Sequence, residues 1–278
     1  MTAAPADLLR PSAGSAMLPA MSELISANLP RVALVTGAGR RIGRAIALDL
    51  AACGFDVAVH CSGSVAEAEA VAADIRAMGR RAEVLVADLA DESQAETLVE
   101  RAEAVLGAPG LLVNSASTFE RDEALTATRA SWDFHMEVNL RAPFVLTQAF
   151  ARRLPAVAEG LVVNMLDQRV WNLTPHFTTY TVSKAGLWTL TQTLALALAP
   201  RIRVVGIGPG PALPSARQTA EQFAAQCAGT PLKVGTGPAE ICQAVRFALA
   251  ARSFTGQMIA LDGGQHLQWA PGGAPPQE

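Results

Sequence analysis

The chain has 278 residues, half of them apolar and only 17 % charged, with a net charge of −3 at pH 7. That length supplies a sizeable core, and the charge balance argues against a nucleic-acid or anionic-membrane partner. Cys53, Cys61, Cys227 and Cys242 form no C-x-x-C pair, and His60, His135, His176 and His266 are dispersed. No metal site is expected, and scattered thiols fit a reducing, cytoplasmic compartment.

Residues 1–30 are rich in Ala, Pro and Ser, without a basic start or a compact apolar stretch. They read as a loose extension rather than a signal peptide, and no run approaches the ~18 apolar residues of a membrane span. Regular structure is expected from Arg31. The strand Val32–Val35 opens through a Gly-rich turn into a helix over 41–52, followed by a strand over 55–60, a helix over 65–78 and a strand over 82–87. A helix over 91–106 and a short strand over 111–113 come next. A long helix over 131–154 is interrupted near Pro143, ahead of a strand over 161–164. A helix over 180–198 precedes a strand over 202–207, and a helix over 239–250 precedes the last strand, 257–261. Strands alternating with helices imply an α/β fold, a doubly wound parallel sheet of Rossmann type. No linker divides the chain, so residues 31–269 form a single domain and the Pro/Gly-rich tail 270–278 is loose. The stretch 213–234 reads as a mobile wall of variable sequence.

Chemistry concentrates at two places. Thr36-Gly37-Ala38-Gly39-Arg40-Arg41-Ile42-Gly43 lies between the first strand and first helix, where small residues and a helix N-terminus receive a pyrophosphate. The second strand ends in His60-Cys61-Ser62-Gly63-Ser64. An NAD site usually carries an acid there for the ribose 2′-hydroxyl. Ser62, Ser64 and Arg40 instead suit a 2′-phosphate, which favours NADP(H). Tyr180 and Lys184, four apart, share a helix face, and the ammonium lowers the cost of a phenolate. Asp167 stands thirteen residues before the tyrosine.

Together these residues resemble the short-chain dehydrogenase/reductase family. The resemblance rests on the Thr-Gly turn, Asp88-Leu89, Asn114-Ser115-Ala116-Ser117, Asn139, Tyr180 with Lys184, Pro209-Gly210 and Asp262-Gly263-Gly264. It implies hydride transfer to or from nicotinamide in a dimeric or tetrameric enzyme. Asp88 and Leu89 would face the adenine, with Asn114, Ala116 and Ser117 beside the cofactor and Pro209-Gly210 closing its site. Lys184 would also hold the nicotinamide ribose, and Asn139 would order a relay water. Arg41 occupies the family's middle turn glycine and Asp167 replaces its usual serine. Both departures resemble the pteridine reductase branch, in which the Arg reaches cofactor phosphate and pterin and an aromatic at the position of Phe119, beyond Ser117, stacks on the pterin. Gly63 departs from the Arg that this branch often carries.

The expected activity is therefore NADPH-dependent reduction of a pterin or dihydrofolate-like heterocycle, a small-molecule substrate, with protons delivered through Tyr180 and Asp167. A carbonyl or secondary-alcohol short-chain enzyme is the alternative. A nucleotide-sensing module without turnover is a third reading, against which intact Tyr180, Lys184 and Asn139 argue. Helices apolar on more than one face, carrying Trp132, Phe134, Phe144, Phe150, Trp188, Leu190 and Leu194, are expected to meet a second subunit in a homotetramer or homodimer.

Overall fold

Strands that are apolar at consecutive positions need cover on both faces, and this protein supplies it. The computed structural model describes residues 21–215 and 218–267. Strands β1 (Val32–Val35), β2 (Asp56–Cys61), β3 (Ala82–Val86), β4 (Leu111–Asn114), β5 (Gly160–Met165), β6 (Ile202–Pro209) and β7 (Met258–Leu261) form one sheet. Their order is β3-β2-β1-β4-β5-β6-β7, and each pairing is parallel.

The period-two alternation of strands sorts side chains onto two faces. Val35, Val59, Val113, Val163 and Val205 pack against one helical layer. Its helices are α2 (Arg41–Ala52), α3 (Val65–Ala77) and α9 (Pro238–Ala250). Leu34, Ala58, Leu112, Val162 and Val204 face the other layer, made by α4 (Glu92–Leu106), α6 (Ala142–Arg153) and α7 (Thr178–Leu198). Ala68, Val71, Ala72 and Ile75 of α3 show why such a segment is helical: they recur three and four apart and are all buried. The chain order reverses direction between β1 and β4, so the carboxyl ends of these strands open a crevice there.

Two expectations need correction, and one gains detail. The interruption expected near Pro143 is a widened turn, Glu137–Arg141, between α5 (Arg129–Met136) and α6, just ahead of that proline. Pro143 has no N–H to donate to the carbonyl of Asn139 four residues earlier, so the distortion appears upstream of it. The stretch 213–234 contains a helix, α8 (Ala220–Ala228), started by a reciprocal Thr219–Gln222 cap. At the N-terminal side, a turn of helix, α1 (Met21–Leu24), precedes Ile25 and Leu29, which are buried in the core. The boundary expected at residue 30 therefore falls inside packed structure, while residues 1–20 and the expected tail 270–278 lie outside the described residues. Among the described residues no helix is long and apolar enough to cross a membrane.

Candidate active site

At the crevice, the β1–α2 turn is built for close approach. Gly37 has φ +64°, and a Cβ there would lie 2.9 Å from the Ala116 Cα. A Cβ on Gly43 would lie 2.2 Å from the Gly37 carbonyl oxygen. Arg41 is also left-handed, at φ 54°, which explains why a glycine is the ordinary residue at its place. The Thr36 hydroxyl accepts from the backbone N–H groups of Ser115 (2.9 Å) and Ala116 (3.0 Å), tying the turn to the end of β4.

A cleft of about 630 Å³ runs from this turn past Ser62 and Ser64 to Asp88 and Leu89, and its wall includes Arg40, Ile42, Ala116 and Ser117. These sequence-expected positions are brought together. The Arg40 guanidinium sits at the rim, 4.0 Å from Glu67 and exposed, a pair of little energetic weight. It stays available to an incoming anion.

Two expected cofactor residues have other work. His60 lines the cleft, but its ring is 1 % exposed. Its Nδ1 accepts the Gly37 N–H at 3.2 Å, so Nε2 carries the proton and donates to the Ala87 carbonyl at 3.1 Å. Burial pushes this imidazole down to about 4, against the upward pull of that second hydrogen bond. His60 thus shapes the turn from behind. Asn114 is buried and donates to Asn164 Oδ1 at 2.8 Å, and Asn164 donates in turn to Thr191 at 2.9 Å. It braces β4 against β5.

A second compartment of about 260 Å³ adjoins the first and shares Arg41, Ile42, Ser115 and Ser117 with it. Asp167, Phe119, Tyr180, Lys184, Pro209 and Gly210 line it. The Tyr180 hydroxyl donates to Asp167 Oδ2 at 3.0 Å. Lys184 Nζ donates to the Met165 carbonyl at 2.8 Å and lies 5.8 Å from the Tyr180 ring. Burial pushes the Lys184 ammonium down to about 8, with Asp167 pulling the other way. Asn139, fully buried in the widened turn, accepts from Ser117 Oγ (3.1 Å) and the Thr118 N–H (2.8 Å). It donates to the Thr118 carbonyl and to Ser183 Oγ. Asn139 therefore joins the β4 loop to α7.

Phe119 stacks on Phe177 at 4.5 Å and 9°, and meets Tyr180 edge-on at 4.7 Å. The Arg41 guanidinium donates to the carbonyls of Pro214 (2.8 Å) and Leu213 (3.2 Å), linking the turn to the wall after β6. Sequence reasoning missed Arg169 and Phe177. Arg169 Nη1 lies 3.4 Å from Asp167 Oδ2, and its guanidinium carbon is 5.4 Å and 5.1 Å from the Phe119 and Phe177 rings. Neither residue belongs to a periodic pattern; proximity to Asp167 and Tyr180 was the available signal.

Helix α7 is started from outside. Asp122 accepts the Thr179 N–H at 3.1 Å and the Thr179 hydroxyl at 2.5 Å. A carboxylate there suits the helix N-terminus and fixes the turn that carries Tyr180.

Residues 31–224 match the family described as short chain dehydrogenase, and the chain belongs to that family. It is 30 % identical over 248 residues to the 3-oxoacyl-[acyl-carrier-protein] reductase FabG of Staphylococcus aureus, covering 86 % of this chain and all of that protein. The FolM alternative dihydrofolate reductase 1 of Brucella canis, solved with NADP, is 48 % identical with a TM-score of 0.85, covering 90 % of this chain and all of that one. The Brucella suis counterpart, also with NADP, is 48 % identical with the same TM-score, covering 89 % and 99 %. The protein is thus an oxidoreductase on a Rossmann-type sheet.

Proposed function

We propose that this enzyme is an NADPH-dependent reductase of a pterin or dihydrofolate-like heterocycle. The observation that carries the reading is Asp167 Oδ2 at 3.0 Å from the Tyr180 hydroxyl, inside the compartment that Phe119 also lines. A carbonyl substrate builds negative charge on oxygen, which a neighbouring carboxylate opposes. A flat heterocycle carrying ring N–H and amino donors meets an acceptor in Asp167 and an aromatic platform in Phe119.

The cleft beside Gly37 fits the nicotinamide cofactor, because the turn that opens helix α2 lines it together with Ser62, Ser64, Asp88 and Leu89. Ser62, Ser64 and Arg40 favour NADP(H), and the two Brucella structures hold NADP. When bound, the cofactor supplies the hydride. Tyr180 holds the proton for the ring nitrogen at its hydroxyl, and buried Lys184 favours its release by placing a cation beside the ring. Asp167 orients that hydroxyl and the donor edge of the substrate. Asn139 fixes Ser117 and Thr118 against α7, and Arg41 holds the outer wall.

The likeness to the Staphylococcus reductase supports carbonyl reduction as a second reading. NADPH oxidation tested with dihydropterin, dihydrofolate, a ketone panel and a β-ketoacyl thioester separates the two. Turnover confined to the last two substrates would replace the first reading. A homotetramer or homodimer in the cytoplasm completes the proposal, supported by the exposed apolar side chains of Trp132, Val182 and Leu196. A monomer in sedimentation would contradict the assembly.

A further inference from the structure

We propose that Arg169 is a positioning residue of this site: its guanidinium holds Asp167 on the Tyr180 hydroxyl and braces the Phe119–Phe177 stack. Proton donor, acceptor and stacking platform then move as one unit. The inference rests on the reading of Tyr180 as the proton donor.

The geometry carries it. The Asp167 Oδ1 already accepts the backbone N–H of Arg169 at 2.8 Å. The guanidinium goes instead to Oδ2, at 3.4 Å, the oxygen that receives Tyr180 at 3.0 Å. Arg169 is only 9 % exposed, and it lines the same compartment. Burying a guanidinium is costly unless it is paired, and a loop that merely connected β5 to α7 has no need of one. Its planar shape also matches the aromatic pair: the guanidinium carbon sits nearly equidistant from both rings. One side chain therefore touches the carboxylate and the platform together.

The charged groups around Tyr180 come from several elements. Lys184 lies on its own helix, 5.8 Å from the ring. His135 of α5 is edge-on at 5.9 Å, with burial lowering its basicity. Asp122 reaches the start of α7 through Thr179. Asp167 and Arg169 complete the set. Removing Arg169 takes away one of the two cations that offset the Asp167 carboxylate and leaves Lys184 as the other, which disfavours a phenolate at Tyr180.

Tyr180 is the single tyrosine of the chain, so ultraviolet difference absorbance reads its ionisation without interference from a second phenol. In Arg169→Met the titration midpoint is expected to rise by about one pH unit, and Arg169→Lys is expected to restore most of it. In the same variant kcat/KM for dihydropterin falls about tenfold, through KM, as for loss of a charged hydrogen bond. The Kd for NADPH stays unchanged. If Arg169→Met does not fold, Arg169→Gln makes the same charge deletion. A midpoint left at the wild-type value, or an Arg169→Lys variant as displaced as the Met one, would overturn the proposal. A shifted midpoint in an enzyme without dihydropterin turnover keeps Arg169 in its role and removes only the substrate reading.

Discussion

Acidification should weaken this protein at one buried imidazole beneath the cofactor turn. His60 is 1 % exposed and accepts the Gly37 N–H on Nδ1. Its pKa lies near 4 in the folded protein, lowered by burial from an ordinary 6.5. Above pH 6.5 it is neutral in both folded and unfolded chains, and its contribution is constant. Between 6.5 and 4 the unfolded chain binds a proton that the folded one refuses, so stability falls as pH falls. Each pH unit costs about 1.4 kcal/mol, or about 2 kcal/mol between pH 6.5 and 5. Carboxylates titrate over part of the same range, so the comparison is with His60→Gln, whose amide can accept from Gly37 and donate to Ala87 but binds no proton. Urea unfolding at pH 7 and pH 5 should show wild type losing about 2 kcal/mol more than the variant. NADPH affinity should not follow this loss down to pH 5, because the folded imidazole is still neutral there. It should weaken through His60 only as the pH approaches 4, where a protonated Nδ1 repels the Gly37 N–H. Parallel pH curves for the two proteins would refute the reasoning.

Two substitutions extend the account. Gly37→Ala places a methyl 2.9 Å from the Ala116 Cα at φ +64°. It should lower stability by about 1–3 kcal/mol and weaken NADPH binding at least tenfold by fluorescence titration. Lys184→Met should abolish most turnover yet stabilise the protein at neutral pH. The buried ammonium, with its pKa pushed down to about 8, penalises folding below that pH, and the penalty is relieved as pH rises from 8 to 10.5. Thermal melts at pH 7 and pH 10 should show the variant's advantage shrinking, and a constant advantage would contradict the burial argument.

Much of the site was legible because its chemistry is local. The Thr36–Gly43 turn announces itself by small residues between a strand and a helix, and Tyr180 with Lys184 by helical spacing. Asp167 was readable because it stands thirteen residues before Tyr180, where the family resemblance places a serine. Arg169 and Phe177 were not, because their contacts depend on the path of the 166–177 loop, which no periodicity records. His60 was assigned to the cofactor from its place at the end of the second strand, and Asn114 from the family resemblance. Whether a strand-end side chain points into the crevice or behind it is set by packing against Gly37 and Asn164. Helix α8 was overlooked although Thr219-x-x-Gln222 has the form of a capping box. Ile25 and Leu29 were hidden in an Ala/Pro/Ser-rich stretch, where their spacing of four is a single weak repeat.

The most direct test of the central claim replaces Asp167 with Ser and compares kcat/KM for dihydropterin with that for a simple ketone, both with NADPH. The ratio should fall on the order of 10- to 100-fold, since a charged acceptor is lost for the first substrate and a donor is gained for the second. An unchanged ratio, with wild-type NADPH affinity retained, would contradict the assignment of Asp167 as the residue that selects a nitrogen heterocycle.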